Sequence, residues 1–356
     1  MASLQFTLQK HDFLGLSARS QHMKVYQLQN TFGIDQVTLT ERPDPGPGPG
    51  QVLLRMRAFS LNYRDLLVVK GLYNPKLRLP MVPLSDGVGE VVAKGDGVTR
   101  VKVGDRVCPL FMQKWLGGEV TDEKARSALG GGNDGVLAEY AVFHEDGVTA
   151  VATHLSNPEA ATLPCAALTA WHALVTEGRV TAGDTILVQG TGGVSLFALQ
   201  FARLSGARVI ATSSSDSKLT RVLQLGAADG INYKSNPEWG DKARALTGAG
   251  VDHVVEVGGA GTIGQSLRAV RPGGRISLIG VLTGAGSFNP TPILMKNVCV
   301  QGIFVGSRDM FEAMTRAIAL HKLRPVIDRV FGFNEVRAAL RHMESAAHFG
   351  KICIEV

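Results

Sequence analysis

The sequence predicts an α/β protein of two modules, a β-rich module and a doubly wound, largely parallel sheet. Three observations carry this expectation. The chain has 356 residues, more than one ordinary core accommodates and enough for two. Before Pro158 it reads as short strands punctuated by Gly, Pro and Asp. After Pro158, strand and helix patterns alternate about six times, which is how a sheet with helices on both faces is written in sequence.

The β-rich module opens with "KVYQL", "QVTLTERP" and "QVLLRMRAFSLN" from Met23 onward, with the turn "PDPGPGPG" before the third strand. Its prolines favour an extended turn. "GVGEVVAKG", "DRVCPLF" and "LAEYAVF" follow as further strands, each bounded by Gly or Asp. Between them, Met112–Gly135 is polar and Gly-rich and is expected as a surface lobe near the active cleft. Within it "TDEKARSALGG" is expected as a short helix capped by Thr121 and stopped by glycine.

In the second module "DTILVQG" is a continuous apolar strand and "VSLFALQFARLSG" has helical periodicity. "ARVIATS", "VDHVVEV", "RISLIGV" and "VCVQGIFVG" are strands, and "GINY" is a short one. "DSKLTRVLQLG", "PEWGDKARALTG" and "IGQSLRAVRPGG" are helices. After Gly306 come two helical stretches and a last strand, "GKICIEV", expected to return to the first module. The division is therefore 23–157 with 306–356 for the β-rich module and 158–305 for the parallel sheet. Residues 1–22 lack the apolar core of a signal peptide and are expected to be an extension outside the fold, with a transit segment as the alternative.

Composition narrows the function. Hydrophobic residues make up 45% and charged residues 19%, as in an ordinary soluble enzyme. The net charge is +6, but the basic residues are scattered singly without interleaved aromatics, which argues against a nucleic-acid surface. No apolar run reaches the roughly 18 residues that cross a bilayer. Cys108, Cys165, Cys299 and Cys353 form no C-x-x-C pair, so neither a zinc ribbon nor a disulfide framework is indicated, and a reducing compartment, the cytoplasm, is expected.

The chemistry-bearing stretch is "VQGTGGVS", residues 188–195. Gly190 and Gly192 match the dinucleotide fingerprint G-x-G-x-x-G, while Ser195 stands at the third glycine. Because the motif follows a strand, opens a helix and begins a run of β-α units, it predicts a dinucleotide site. Gly190 permits the tight turn, and Gly192 lets the backbone approach a pyrophosphate at the helix N-terminus. Serine is small enough for the third place, and its hydroxyl is available to hold the loop. Roughly 20 residues on, an NAD site usually carries a carboxylate for the ribose 2′-OH. Here that place is Ser213, followed by Ser214 and Ser215, with Lys218 one helical turn on. NADP(H) is therefore the expected cofactor. NAD(H) is the alternative if Asp216 reaches the ribose instead, and the serines also suit a helix cap.

Taken together, "SLNYRDLLVVKGLY", "PLSDGVGEVVAKGDGV", "VGDRV", "LPCAALTAWHAL", "VQGTGGVS", "LGAADGINY" and "GKICI" resemble the medium-chain dehydrogenase/reductase superfamily from Met23 to Val356. The resemblance implies a GroES-like catalytic domain and a Rossmann domain with the active site in the cleft between them. By register, the catalytic zinc ligands of the zinc-dependent members fall on Tyr63, Ser85 and Cys165, with Asp86 in place of the glutamate after the histidine. One thiol cannot make a three-ligand site, so the sequence resembles the zinc-independent, quinone oxidoreductase-like branch, and no metal is expected.

That resemblance also implies roles. Asn62, Tyr63 and Asp65 would line the substrate side, although Asp65 has an alternative as the anchor of its own turn. Thr169, Phe304, Val305 and Gly306 would border the nicotinamide. Gly192, Gly193 and Val194 would hold the pyrophosphate, with Lys351 reaching a phosphate. Ser213, Lys218 and Tyr233 would surround the 2′-phosphate. Val257 and Gly258 would end the fourth strand of the sheet, and Gly280 and Val281 the fifth. His172, in "TAWHAL", is expected to serve only local hydrogen bonding in its helix. The implied activity is hydride transfer from NADPH to a quinone or an α,β-unsaturated carbonyl. Alcohol/carbonyl interconversion is one alternative, and a catalytically silent NADPH-binding protein, like the lens crystallins of the family, is another. "VCVQGIFVG" as an exposed sheet edge implies a homodimer paired across a two-fold axis.

Overall fold

The structure, a computed structural model, describes residues 22–356. The extension expected over residues 1–22 thus lies outside the described residues, apart from His22, which already opens a strand. β1 (His22–Leu28) and β2 (Val37–Pro43) form a two-stranded antiparallel ribbon. β3 (Gln51–Ser60) is the spine of a larger sheet, pairing antiparallel with β4 (Asp86–Lys94) along one edge and with β6 (Tyr140–His144) along the other. β5 (Arg106–Pro109) and β7 (Val148–Ala150) extend it beyond β4. In β3, Val52, Leu54, Met56 and Ala58 are buried and alternate with more exposed residues, the two-residue period of a strand with one covered face.

β8 (Thr185–Gln189), β9 (Arg208–Ser213), β10 (Asp229–Asn232), β11 (Val251–Glu256), β12 (Val270–Leu278) and β13 (Cys299–Gly302) form the second sheet. All its pairings are parallel, in the order β10-β9-β8-β11-β12-β13. The chain starts in the middle at β8, winds out through β9 and β10, then crosses back to β11. The reversal makes a crevice between the C-terminal ends of β8 and β11, the place where such sheets bind ligands.

The tail contains β14 (Ile327–Gly332) as well as the expected last strand, β15 (Lys351–Glu355). β15 pairs antiparallel with β3 and parallel with β14. β14 is not visible in the sequence pattern because its centre, Asp328 and Arg329, is polar and sits on the sheet edge. The Met112–Gly135 lobe does carry the helix Asp122–Arg126 capped by Thr121. However, Met112, Trp115 and Leu129 are buried, so the lobe is packed into the body rather than lying on the surface.

Between the sheets runs a helical stretch, 157–177, with π-helical turns at Leu163–Ala167 and His172–Glu177. Its apolar residues share one core with β8, the helix Gly193–Leu204 and the helix Arg308–His321. Cys165, Thr169 and His172 are thereby carried to the crevice side of both modules. π turns widen a helix locally and commonly mark functional positions.

Candidate active site

At the crevice, Gly190 has φ +70° and begins the turn out of β8, while Gly192 caps the helix Gly193–Leu204 in extended conformation. A Cβ on either would meet nothing within 4 Å, so both faces are open to a ligand. Neither opening is needed for packing, and the free N–H groups and dipole of the helix suit an anion there. Ser195 is buried, and its Oγ donates to the Gln189 carbonyl at 2.6 Å. The serine thus ties the helix to the strand end where a third glycine would only have allowed close packing.

Beneath the turn lies a polar network that motif spacing does not reveal. Gln189 Nε2 donates to Glu256 Oε2 at 2.6 Å and to Ser266 Oγ at 2.7 Å, while its Oε1 accepts from the amides of Val257 and Gly258. Glu256 Oε1 accepts from the amides of Gly258 and Gly259 and from the Thr262 hydroxyl. A fully buried carboxylate persists only with such saturation. The network locks the ends of β8 and β11 together, and with them the position of Val257 and Gly258. A polar Gln and Glu closing the apolar runs "TILVQ" and "VDHVVE" are its sequence signal.

At the end of β9, Ser213 is buried and its Oγ accepts from the Ser215 amide, while Ser215 caps the helix Asp216–Gln224. Ser214 is half-buried and Tyr233 is exposed, its amide donating to the Ser213 carbonyl at 3.0 Å. Asp216 Oδ1 accepts from Asn232 Nδ2 at 2.7 Å, so this carboxylate is held at the end of β10. Lys218 is not the free cation expected. Its Nζ donates to the carbonyls of Ala346 (3.0 Å) and His348 (2.9 Å) in the tail, and burial pulls its pKa down.

On the other side of the crevice, Gly280 packs so closely on the Val257 backbone that a Cβ would strike its carbonyl, and Val281 beyond it is exposed. Thr169 is buried, Phe304 is half-exposed with its ring edge-on to Phe111 at 6.1 Å, and Gly306 lies against Leu168. The expected local role of His172 is corrected. Its Nδ1 is bonded at 2.8 Å to the carbonyl of Val305, 133 residues away.

The first module contributes a buried charged cluster. Asn62 precedes the helix Tyr63–Val69, and its amide donates to Asp65 Oδ2 at 2.8 Å. Asp65 is buried and its Oδ1 has no partner. Burial, opposed by Arg64, pushes its pKa up to about 7. So Asp65 anchors its own turn, the alternative role, while Tyr63 is 43% exposed. Lys351 does not reach toward a phosphate. Its stem lies against Gly193, and its buried ammonium donates to the Leu61 carbonyl and to Asn62 Oδ1, both at 2.6 Å. Asp86, also buried, accepts from Ser85 Oγ (2.7 Å) and from the Cys165 amide (3.0 Å). Burial raises its pKa against the pull of Lys351 and the neighbouring Asn62 side chain, and burial likewise raises the Cys165 thiol. Arg64 spans the neighbouring wall, its guanidinium over the rings of Phe111 (4.7 Å) and Tyr73 (4.9 Å).

A doubly wound sheet with an open glycine cradle at its switch point, faced by a buried polar cluster from a β-rich module, has the layout of a dinucleotide-binding enzyme. Comparison with known proteins gives the family. Residues 48–153 match the model of the alcohol dehydrogenase GroES-like domain, and residues 193–319 match that of the zinc-binding dehydrogenases. A zinc-type alcohol dehydrogenase-like protein of Schizosaccharomyces pombe is 44% identical over 336 residues, 91% of this chain and 96% of that one. The crystal structure of a putative alcohol dehydrogenase from Sinorhizobium meliloti superposes with a TM-score of 0.88 at 46% identity, covering 95% of this chain and all of that one. An acryloyl-coenzyme A reductase of Metallosphaera sedula is 28% identical over 88% of this chain and 95% of that one. The chain belongs to the medium-chain dehydrogenase/reductase superfamily and is an NAD(P)H-dependent oxidoreductase.

Proposed function

We propose that the protein is a zinc-independent reductase that uses NADPH to reduce an α,β-unsaturated carbonyl or a quinone. The observation that carries this reading is the buried Lys351–Asn62–Asp86 cluster where the zinc-dependent members place their metal. The donor set does not fit a zinc ion. Ser85 and both oxygens of Asp86 are already hydrogen-bonded, and the cation of the cluster is Lys351. No group of three or more His, Cys, Asp or Glu among the described residues could hold a metal.

The glycine cradle suits the cofactor. Gly190, Gly192, Gly193 and Val194 would take the pyrophosphate. Ser213, Ser214 and Tyr233 would take the 2′-phosphate, joined by Lys218 once it leaves the tail carbonyls. Thr169, Val257, Gly258, Gly280, Val281 and the turn Phe304–Gly306 would seat the nicotinamide. The cofactor supplies a hydride. The chain's own groups polarise the acceptor. Asn62 has its Oδ1 held by Lys351, and its buried side-chain amide lies beside Asp86. The Tyr63 hydroxyl donates toward the carbonyl oxygen where negative charge develops. Tyr63 or water then returns the proton. Asp65 acts on this site through the Asn62 backbone.

With NADPH and an enal, the expected product is the saturated aldehyde, formed equally well in the presence of a chelator. An allylic alcohol, or loss of activity with one zinc per chain removed, would overturn the reading in favour of alcohol/carbonyl interconversion. Absence of any turnover across enones and quinones would favour the silent binding protein.

The same reading includes assembly as a homodimer through β13. The last strand of the sheet has a free edge, and beside it Leu294 and Met295 are 80% and 76% exposed, an arrangement that invites pairing with a second copy. Light scattering at micromolar concentration should give twice the chain mass of 37.9 kDa, and a monomer would reject it. Four free cysteines accord with a reducing compartment such as the cytoplasm, and no helix among the described residues is long and apolar enough to cross a membrane.

A further inference from the structure

We propose that His172 is a positioning residue for hydride transfer: it holds Val305 in the left-handed conformation and so fixes the turn that seats the nicotinamide. This rests on the reading of Phe304–Gly306 as the nicotinamide border. Val305 has φ +55°. Left-handed backbone is uncommon outside glycine, and for a β-branched residue it is a true outlier. Such strain persists only where the surroundings impose it, and it concentrates where geometry matters for function.

What imposes it here is visible. The Val305 carbonyl accepts from His172 Nδ1 at 2.8 Å, and both residues are buried. A carbonyl only accepts, so Nδ1 carries the proton. The imidazole is fixed in turn: Trp115 stands edge-on at 5.9 Å, and Glu177 Oε1 lies 3.9 Å from Nε2. His172 opens the π turn His172–Glu177 directly after the helix that carries Thr169. That helix also receives Gly306, where a Cβ would come within 2.8 Å of Leu168 Cγ. Thr169 and the 304–306 turn are therefore one rigid unit with His172 as its clamp.

The test compares His172→Leu, His172→Asn, Val305→Gly and the double variant His172→Leu/Val305→Gly. NADPH Kd is measured by fluorescence titration, and kcat on an enone at saturating NADPH. Misplacing a reacting group by about an ångström costs on the order of a hundredfold, so His172→Leu is expected to lower kcat by about ten- to a hundredfold. The NADPH Kd should move by less than about threefold, because the pyrophosphate and adenosine contacts are untouched. His172→Asn, whose Nδ2 replaces Nδ1, should keep kcat within about threefold of wild type.

Glycine takes up positive φ without the Cβ penalty. In the Val305→Gly background, removing His172 should therefore cost less than about threefold. An equal loss of kcat with and without the Val305→Gly substitution, or a His172→Leu enzyme that loses thermal stability while keeping kcat, would overturn the proposal. If His172→Leu does not fold, His172→Gln, which displaces the donor by one methylene, carries the same comparison. A wild-type protein that binds no NADPH would overturn the reading of the site itself. Turnover of His172→Leu equal to that of an active wild type would overturn this proposal alone.

Discussion

Lys351→Met should destabilise the protein by about 3–5 kcal/mol at pH 7.5, the usual cost of removing one partner from a buried ion cluster. Methionine preserves most of the stem that lies against Gly193, so the loss reports the charge. Without the ammonium, Asp86 and Asp65 remain buried with no adjacent cation except Arg64, and Asn62 and the Leu61 carbonyl lose their donor. The pH dependence is the diagnostic. In the wild type the Asp65 pKa is raised to about 7 from 3.8, chiefly by burial. A carboxyl raised in this way stabilises the fold below about pH 4, and that stabilisation is lost as pH rises through about 7, because over that window the native state binds the proton that the unfolded chain releases. Asp86 is shifted in the same direction, also by burial, with Lys351 opposing. Removing Lys351 moves both carboxyls further up, so the penalty should be largest at pH 7.5 and clearly smaller at pH 5, where Asp65, raised to about 7, already carries its proton in the fold. Urea unfolding of wild type and variant at the two pH values checks this. An equal loss at both would assign Lys351 a packing role only.

Ser213→Asp is expected to reverse the cofactor preference. On the proposed NADPH reading, a charge-assisted hydrogen bond to the 2′-phosphate would contribute roughly 1.5–3 kcal/mol, which is about ten- to a hundredfold in affinity for NADPH over NADH. Ser213 stands at the very end of β9, while Asp216, the residue best able to serve NAD, is occupied by Asn232, and Lys218 is occupied by the tail. A carboxylate at position 213 would accept from the ribose 2′-OH of NADH and repel the phosphate of NADPH. Titration of both cofactors at one ionic strength should show NADPH binding weakened by about a hundredfold and NADH tightened. A Ser213→Asp protein that still prefers NADPH would mean that the phosphate lies elsewhere.

Local patterns make the architecture and the glycine turn legible. The change from two-residue alternation to β-α units, and the run of small residues between β8 and its helix, are properties of neighbouring residues, and neighbouring residues set backbone conformation. Ser195 in place of glycine can likewise be read from its size and its hydroxyl, and its bond to Gln189 spans only six residues. The edge strand β14 is not legible, because an edge position relaxes the apolar demand on Asp328 and Arg329.

The candidate site divides the same way. The glycines are visible because motif spacing defines them, and Asn62 and Asp65 because their stretch resembles that of the family. The directions of long side chains are not. Lys351 and Lys218 each have several rotatable bonds, and which acceptor an ammonium finds depends on what the fold brings near: Asn62, 289 residues before Lys351, and the tail carbonyls 128 and 130 residues after Lys218. His172 and Val305 are separated by 133 residues, and nothing around either one announces the other. Residue type at short spacing was enough for the fold class, the dinucleotide turn and the lack of a carboxylate at the end of β9. It took the packed molecule to show that a buried lysine braces Asn62, that a histidine holds a strained valine, and that Lys218, the cation expected at the phosphate, is engaged with the tail. Those outcomes depend on burial, where an unpaired polar group is costly and takes whichever partner the packing supplies.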